Sequence, residues 1–552
     1  MARSLRAPRS LWIMLTVGGL VGASQAFPAR AAKPDEPLVL EAETTVPDAT
    51  LQASLAAGNA LAEKEDFLGA ALKYNEVVTQ GDATNPIAME GQYALAVALE
   101  KLGLFESAFT RFEPIVDAGV THPKYKDTLT HLLTIARATG SDPSVLLKIS
   151  QYGPELYPAE AADELHFLVG QYFYGEESLN DALNRFQAVS AKNPEIYVRA
   201  KYLEGIIDVA QSGIGTEKTL NAEKLTAAAD AFKTVLRTAD KHSTKATDKV
   251  AADTKLALGR LFFSTRQYDI AIRYYEEITT DNPHWLEAVY EVAWVQFQLK
   301  SNGKALGHLE TVNSPYFATQ YFPESRVLQS LILFLNCRYD DADKIVADFV
   351  NDYYPLMNQF RAELNQFADP NAFYGWLARL GSIKDTEYSL RFQRIFNAAL
   401  EDKKLRRKFE VVAALERETK KLDELSGKGA ERGLLGSLKG DLAEYRSLVI
   451  GEAGSLAQAR LLRVMKDLQR HLASALKIKG ETLRARRGDI SNAAAQEQAA
   501  ARAAYRELEV DEEHIEWPFD GEYWKDELGF YYFDIRSQCG GESDTTPEPA
   551  SP

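Results

Sequence analysis

Residues 258–283, LGRLFFSTRQYDIAIRYYEEITTDNP, decide the fold class. Apolar residues recur there at three and four positions on either side of the polar Ser264–Gln267 break, the spacing of two short amphipathic helices. Gly259 in the first helix and Ala271 in the second are small enough to let two backbones approach closely, and Tyr275 is bulky enough to fill the remaining gap. Pro283 cannot continue a helix and marks the passage to the next unit. Residues 169–194 repeat the pattern with Gly170, Ala182, Phe186 and Pro194.

Working outward, a small residue followed four positions later by a bulky apolar one recurs as Ala70/Tyr74, Ala108/Phe112, Val145/Ile149, Ala182/Phe186, Ala228/Phe232, Ala271/Tyr275, Ala305/Leu309 and Ala342/Val346. Most steps lie between 34 and 38 residues, with 46 and 43 around an insertion at Ser212–Glu223. This period and these residue types resemble the tetratricopeptide repeat (TPR). The resemblance implies an all-α, right-handed superhelical solenoid of about eight repeats over residues 50–350, and a groove that takes peptides. The third and fifth units depart most from the pattern. Tyr172, Tyr174, Arg260, Ser264, Glu291 and Gln298 are expected in part to face that groove.

Beyond residue 350 the period fades. Residues 351–384 are expected to cap the array, whose end would otherwise expose apolar surface. Residues 385–510 are rich in Ala, Leu, Glu, Lys and Arg and read as a coiled-coil-like antiparallel hairpin broken at Ser426–Gly429. Leu461, Met465, Leu468, Leu472 and Ala475 supply its seam, with Leu405, Phe409 and Val412 on the other arm, and Gly451, Gly454 and Gly488 are expected to interrupt the second helix. Residues 511–539 form an aromatic terminal segment, with eight aromatics between Trp517 and Phe533, and residues 540–552 a polar, disordered tail.

At the other end, residues 1–31 combine Arg3, Arg6 and Arg9 with an apolar run from Leu11 to Ala23 and small residues at Ser24 and Ala26, or at Ala29 and Ala31, the pattern of a secretory signal peptide. The apolar run is shorter than the roughly 20 residues needed to cross a bilayer. No Cys stands near the cleavage site to carry a lipid, and residues 32–49 read as a linker. The formal charge of the chain is −16, and removal of four Arg and no acid with the signal takes it to −20. Nucleic acid is therefore a poor partner for the whole molecule. The charge is uneven: residues 401–510 hold 23 Lys and Arg against 17 acids, a basic arm after an acidic body. Cys337 and Cys539 are too few for a disulfide framework. The expectation is two unpaired thiols, with Cys337 packed inside the solenoid, although pairing is open in an oxidising compartment.

Catalytic chemistry leaves no trace in the sequence. None of the eight His begins His-Glu-x-x-His, and no nucleophile elbow, phosphate loop, dinucleotide motif or calcium loop is present. Cys337 has a neighbouring Arg338 but no His close in sequence to act as base, so it is expected to be structural. No catalytic, cofactor or metal residue is assigned. Trp517, Phe519, Tyr523, Trp524 and Tyr531 are assigned as partner-binding anchors, against the alternative that the segment straps onto the chain's own helices.

The combination of export signal, repeat array, basic hairpin and the terminal Trp517–Asp520 and Glu522–Gly529 stretches resembles the envelope TPR proteins of myxobacteria and related delta-proteobacteria, above all those of the adventurous gliding-motility machinery. That resemblance implies a non-catalytic scaffold in the periplasm or at the outer membrane, with envelope proteins as partners. The other readings of the same sequence are an assembly factor for outer-membrane proteins and a regulator of a peptidoglycan enzyme.

Overall fold

The computed structural model describes residues 46–215, 219–380, 402–426, 432–491 and 522–539. The signal, most of the linker, the polar tail, Trp517 and Phe519 lie outside these. The regular elements among the described residues are all helical. The chain divides into two compact units, one of Met1–Ala251 with Glu410–Arg446 and one of Ala252–Phe409 with Ser447–Pro552.

In the first unit helices come in consecutive pairs: α1 (Asp48–Ala62) with α2 (Phe67–Gln80), α3 (Pro86–Lys101) with α4 (Phe105–Ala118), α5 (Tyr125–Ala138) with α6 (Pro143–Ser150), α7 (Ala162–Gly175) with α8 (Leu179–Gln187), and α9 (Pro194–Gln211) with α10 (Ala222–Lys241). The second unit continues with α11 (Lys245–Ser264) and α12 (Tyr268–Glu276), α13 (Trp285–Gln298) and α14 (Asn302–Val312), and α15 (Pro323–Leu335) and α16 (Tyr339–Gln366), followed by α17 (Pro370–Leu380). Helices α18 (Lys403–Leu425) and α19 (Arg432–Ser491) contribute residues to both units, as does α11.

Every small and bulky residue of the eight-pair column is buried, Val145 and Ile149 included. The close approach is visible at four pairs. A Cβ added to Gly58 would lie 2.5 Å from the Tyr74 ring, to Gly170 2.6 Å from Phe186, to Gly205 2.5 Å from Phe232 and to Gly259 2.4 Å from Tyr275. Sixteen residues before the aliphatic members Leu309, Ile149 and Val346 stand Ala293, Leu133 and Ser330 instead of Gly. A second periodic feature sits in the turns. Glu65, Gly103, Gly140, Glu177, Arg266, Lys300 and Cys337 all have φ between 57° and 72°, and each lies five residues before its small column residue. The left-handed residue ends the first helix and turns the chain back for the second.

Proline has a different role from the one its chemistry first implied. Pro194 does not close a unit but opens α9, with the Asn193 side chain accepting from Ile196 N at 3.3 Å. Pro86, Pro143 and Pro323 likewise begin α3, α6 and α15. A first-turn Pro loses no hydrogen bond and brings φ already set for the helix.

In the first unit the hairpin closes on the second and third pairs. Lys439–Asp423 at 2.7 Å and Arg446–Glu416 step in opposite directions along α19 and α18, as antiparallel pairing requires. Helix α4 has no cap of its own at Leu104. The Glu418 carboxylate of α18 supplies it, accepting from Glu106 N at 2.8 Å, Ser107 N at 2.9 Å and Ser107 Oγ at 2.6 Å. Tyr445 of α19 donates to Asp142, whose side chain caps α6. An anionic group at a helix N-terminus satisfies N–H groups that would otherwise be orphaned and meets the positive end of the dipole.

In the second unit α19 is uninterrupted at Gly451, Gly454 and Gly488. Gly454 instead admits another chain segment, since a Cβ there would lie 2.0 Å from the Pro370 carbonyl oxygen. The apolar seam Leu461, Met465, Leu468, Leu472 and Ala475 shares a core with Phe349, Tyr353, Phe360, Phe373 and Trp376 of α16 and α17 and with Leu405. Its main partner is the end of the repeat array, not only the other arm of the hairpin. Helix α16 runs through residue 350 without a break.

The clasp around Glu418 has a pH consequence. Burial, with the neighbouring charges of Asp142, Glu418 and Glu113, pushes the Glu106 carboxyl up to about 8. Between the ordinary carboxylate range and that value the folded chain holds a proton that the unfolded chain has released, so stability falls as pH rises across this window. Equilibrium unfolding of Glu106→Gln is expected to show a shallower loss of stability between pH 5 and pH 8 than wild type. Equal slopes would remove Glu106 as the cause.

Candidate interaction surface

Helix α14 carries Gly303, Gly307 and Thr311 at four-residue intervals on one face. With no side chains at the first two, the face is a trough, and residues 522–539 lie in it. A Cβ at Gly307 would fall 1.7 Å from the Tyr531 carbonyl oxygen, and one at Gly303 would fall 2.7 Å from that of Phe533. Phe533 N donates to Gly303 O at 3.2 Å, Gly529 N to Thr311 Oγ1 at 2.9 Å and Gln538 N to Asn336 O at 2.9 Å. Backbone-to-backbone contact of this kind needs Gly on the receiving helix. Leu528 is the buried anchor of the segment, and Gly529, with φ of 95°, turns against the Trp285 ring.

A disulfide closes the segment. Cys337 and Cys539 are joined with their Cα atoms 5.1 Å apart, across 202 residues of sequence. The expectation of two unpaired thiols is corrected. Cys337 is also not inside the solenoid: it occupies the left-handed position of the eighth turn and is half-buried, where its sulfur can meet a segment passing outside.

Of the assigned anchors among the described residues, two are engaged in cis. Tyr523 donates through its hydroxyl to Glu310 of α14, and its carbonyl accepts from Tyr316 Oη at 3.2 Å. Burial and the Glu310 charge push its phenol well above the ordinary range. The Tyr531 ring packs edge-on against Tyr523 at 6.2 Å, and its hydroxyl accepts from Trp524 N at 3.2 Å. Trp524 faces outward at 53% exposure, together with Phe530 at 83% and Phe533 at 38%, while Tyr532, 60% exposed, rests one edge of its ring on Gly303. Sequence reading placed these last three in the aromatic cluster without naming them as anchors. Which rings pack and which stay exposed depends on the trough in α14, whose signal was the Gly303-x-x-x-Gly307 spacing.

Two of the six expected groove positions pair with each other. Arg260 Nε donates to Glu291 at 2.8 Å and its guanidinium also pairs with Glu287, so these groups of α11 and α13 answer one another. His284 bridges the same network, 2.8 Å from Asp253 and 3.2 Å from Glu287. The hydrogen bonds to Asp253 and Glu287 push it up to about 9. Tyr172, Tyr174, Ser264 and Gln298 are half-buried. Among the described residues no group of three or more His, Cys, Asp or Glu is placed to hold a metal ion.

The disulfide limits the conformational freedom of the strap and of the unfolded chain, and loss of a native disulfide costs about 2–5 kcal/mol. Cys539→Ser, or reduction of the wild type, is expected to raise amide hydrogen exchange in residues 522–539 and α14 while leaving α11 and α12 unchanged. Unchanged exchange in the strap would show that the trough alone holds it.

The tetratricopeptide repeat model matches residues 256–316, which run from α11 to α14. No curated protein matches the chain. Among solved structures, a tetratricopeptide repeat protein from Parabacteroides merdae is 12% identical, with 55% of this chain and 93% of that one covered and a TM-score of 0.24. The TPR2AB domain of yeast Sti1, solved in a complex with pHSP90, is 14% identical, with coverages of 58% and 97% and a TM-score of 0.18. The TPR domain of P58(IPK) is 14% identical, with coverages of 77% and 99% and a TM-score of 0.15. The matched residues are those in which paired helices, the small and bulky column and the Gly259–Tyr275 approach occur together, and residues 256–316 match the tetratricopeptide repeat.

Proposed function

We propose that this chain is a non-catalytic, exported scaffold that holds other proteins together in a bacterial envelope complex, with the outer face of its terminal strap as a docking surface. One observation carries the reading: a segment anchored by a disulfide and a glycine trough leaves Trp524, Phe530 and Phe533 exposed. A strap needed only to cover α14 would gain nothing from exposed rings. Large exposed aromatics held on a rigid support are the residues that dominate protein interfaces.

The pairing of the chain's two cysteines fits an oxidising compartment and agrees with the export signal read in residues 1–31. The likeness of the terminal segment to the gliding-type envelope proteins extends the proposal to a motility assembly.

The test keeps the strap in place. Trp524→Ala/Phe530→Ala/Phe533→Ala leaves Leu528, Tyr523, Tyr532 and the disulfide intact, whereas deletion of the segment would also uncover α14. Affinity capture from cross-linked envelopes is expected to lose at least one stoichiometric partner in the triple variant, with its unfolding midpoint unchanged. Recovery of the same partners in the same amounts would contradict the docking role.

A further inference from the structure

The long helix α19 has a second apolar stripe, which flanks its seam at about 100° around the helix. Leu448, Leu462, Leu476 and Leu483 are 59%, 48%, 54% and 48% exposed, and the intervals between them are all multiples of seven residues. The seam residues Leu461, Leu468, Leu472 and Ala475 are buried against α16 and α17, so this stripe is not part of the unit's own core. A period of seven drifts by about 20° per heptad around a straight helix, the path that a second helix follows in a left-handed coiled coil.

A basic ladder runs beside it in the same phase. Arg463, Arg470, Lys477 and Arg484 each occupy the position following a stripe position, and all four are exposed. Among the described residues Arg470 and Arg484 pair only locally, with Asp467 and Glu481 one helical turn away. Arg463 and Lys477 have no acidic group within ion-pair distance among the described residues. From Ala459 to Arg487 there are nine Lys and Arg against two acids.

We propose that this face of α19 binds an acidic amphipathic helix of a partner protein. The leucines would supply the apolar seam and the ladder would pair with carboxylates at flanking positions of the incoming helix. Charge argues against a second copy of the same face, which would set one basic ladder against another. Width argues against a bilayer: the stripe is a single file of leucines interrupted by Ser455 and Gln469, not the broad apolar face of an interfacial helix. The site is separate from the aromatic strap and does not depend on it.

The probe is a labelled synthetic helix of about four heptads with Leu at the core positions and Glu at the flanks, compared with a Lys-flanked counterpart. Fluorescence anisotropy on the oxidised full chain is expected to show binding of the acidic helix, weakened by salt and not matched by the basic one. Leu462→Ala/Leu476→Ala, and separately Arg463→Glu/Arg470→Glu/Lys477→Glu, are each expected to weaken it by about tenfold or more. Both sets lie on the surface, and circular dichroism checks that the fold is kept. Equal binding of the two helices, or no effect of either set, overturns the proposal. So does a dimer in sedimentation that the leucine substitutions dissociate, binding to anionic vesicles through the same leucines, or a cross-link from position 476 to residues 381–401 or 492–521 of the same chain.

Discussion

The closeness of the two helices within each pair governs the rest of the molecule. At Gly58, Gly170, Gly205 and Gly259 an aromatic ring from the second helix lies where a Cβ would be. Adding even a methyl group to such a contact forces a buried ring off its rotamer or the backbones apart, a cost of about 1–3 kcal/mol. The size relation runs the other way where the ring is missing, with Ala293 set sixteen residues before Leu309 and Leu133 before Ile149. Each of these pairs fills the gap between its helices by a different division of volume. The left-handed turn residue, five positions before the small one, follows from this constraint, since only a tight reversal returns the chain at that separation.

A stack of such pairs leaves polar and apolar loose ends, and both units meet them with distant sequence. The first unit borrows a carboxylate: Glu418 caps a helix that begins at Phe105 and lacks a cap of its own. The second unit packs α19 on α16 and α17 and threads a strap over the glycines of α14. These additions turn inward the groups that stabilise the array. They leave outward a set of aromatic rings and a basic, leucine-striped helix face, surfaces that a fold needing only stability would not present.

How much of this was legible follows from the range of each interaction. The column of small and bulky residues could be read because both members lie on one helix turn and repeat at nearly constant intervals. Val145 and Ile149 looked like a departure, yet both are buried, because an aliphatic pair fills the gap by another division of volume. Contacts between remote segments carry no local signal. The Cys337–Cys539 bond spans 202 residues, and nothing near either cysteine announces the other. Glu418 reads as one more surface acid of a charged helix until α4 is seen beneath it. Arg260 and Glu291 were legible as polar groove positions, while their pairing across neighbouring first helices has no local signal. The seam of α19 was read correctly as a seam, while its partner depended on which helices the hairpin folds back upon.

The central claim is that complementary size between the paired helices sets the fold, and a double-mutant cycle at Gly259 and Tyr275 tests it most directly. Gly259→Ala alone should destabilise by about 1–3 kcal/mol in spite of the better helix propensity of Ala. In a Tyr275→Leu background, which recreates the Ala293/Leu309 arrangement of the seventh pair, the same substitution should be nearly neutral or stabilising, giving a coupling of about 1–3 kcal/mol. Additive effects of the two substitutions, within about 0.5 kcal/mol, would contradict the account.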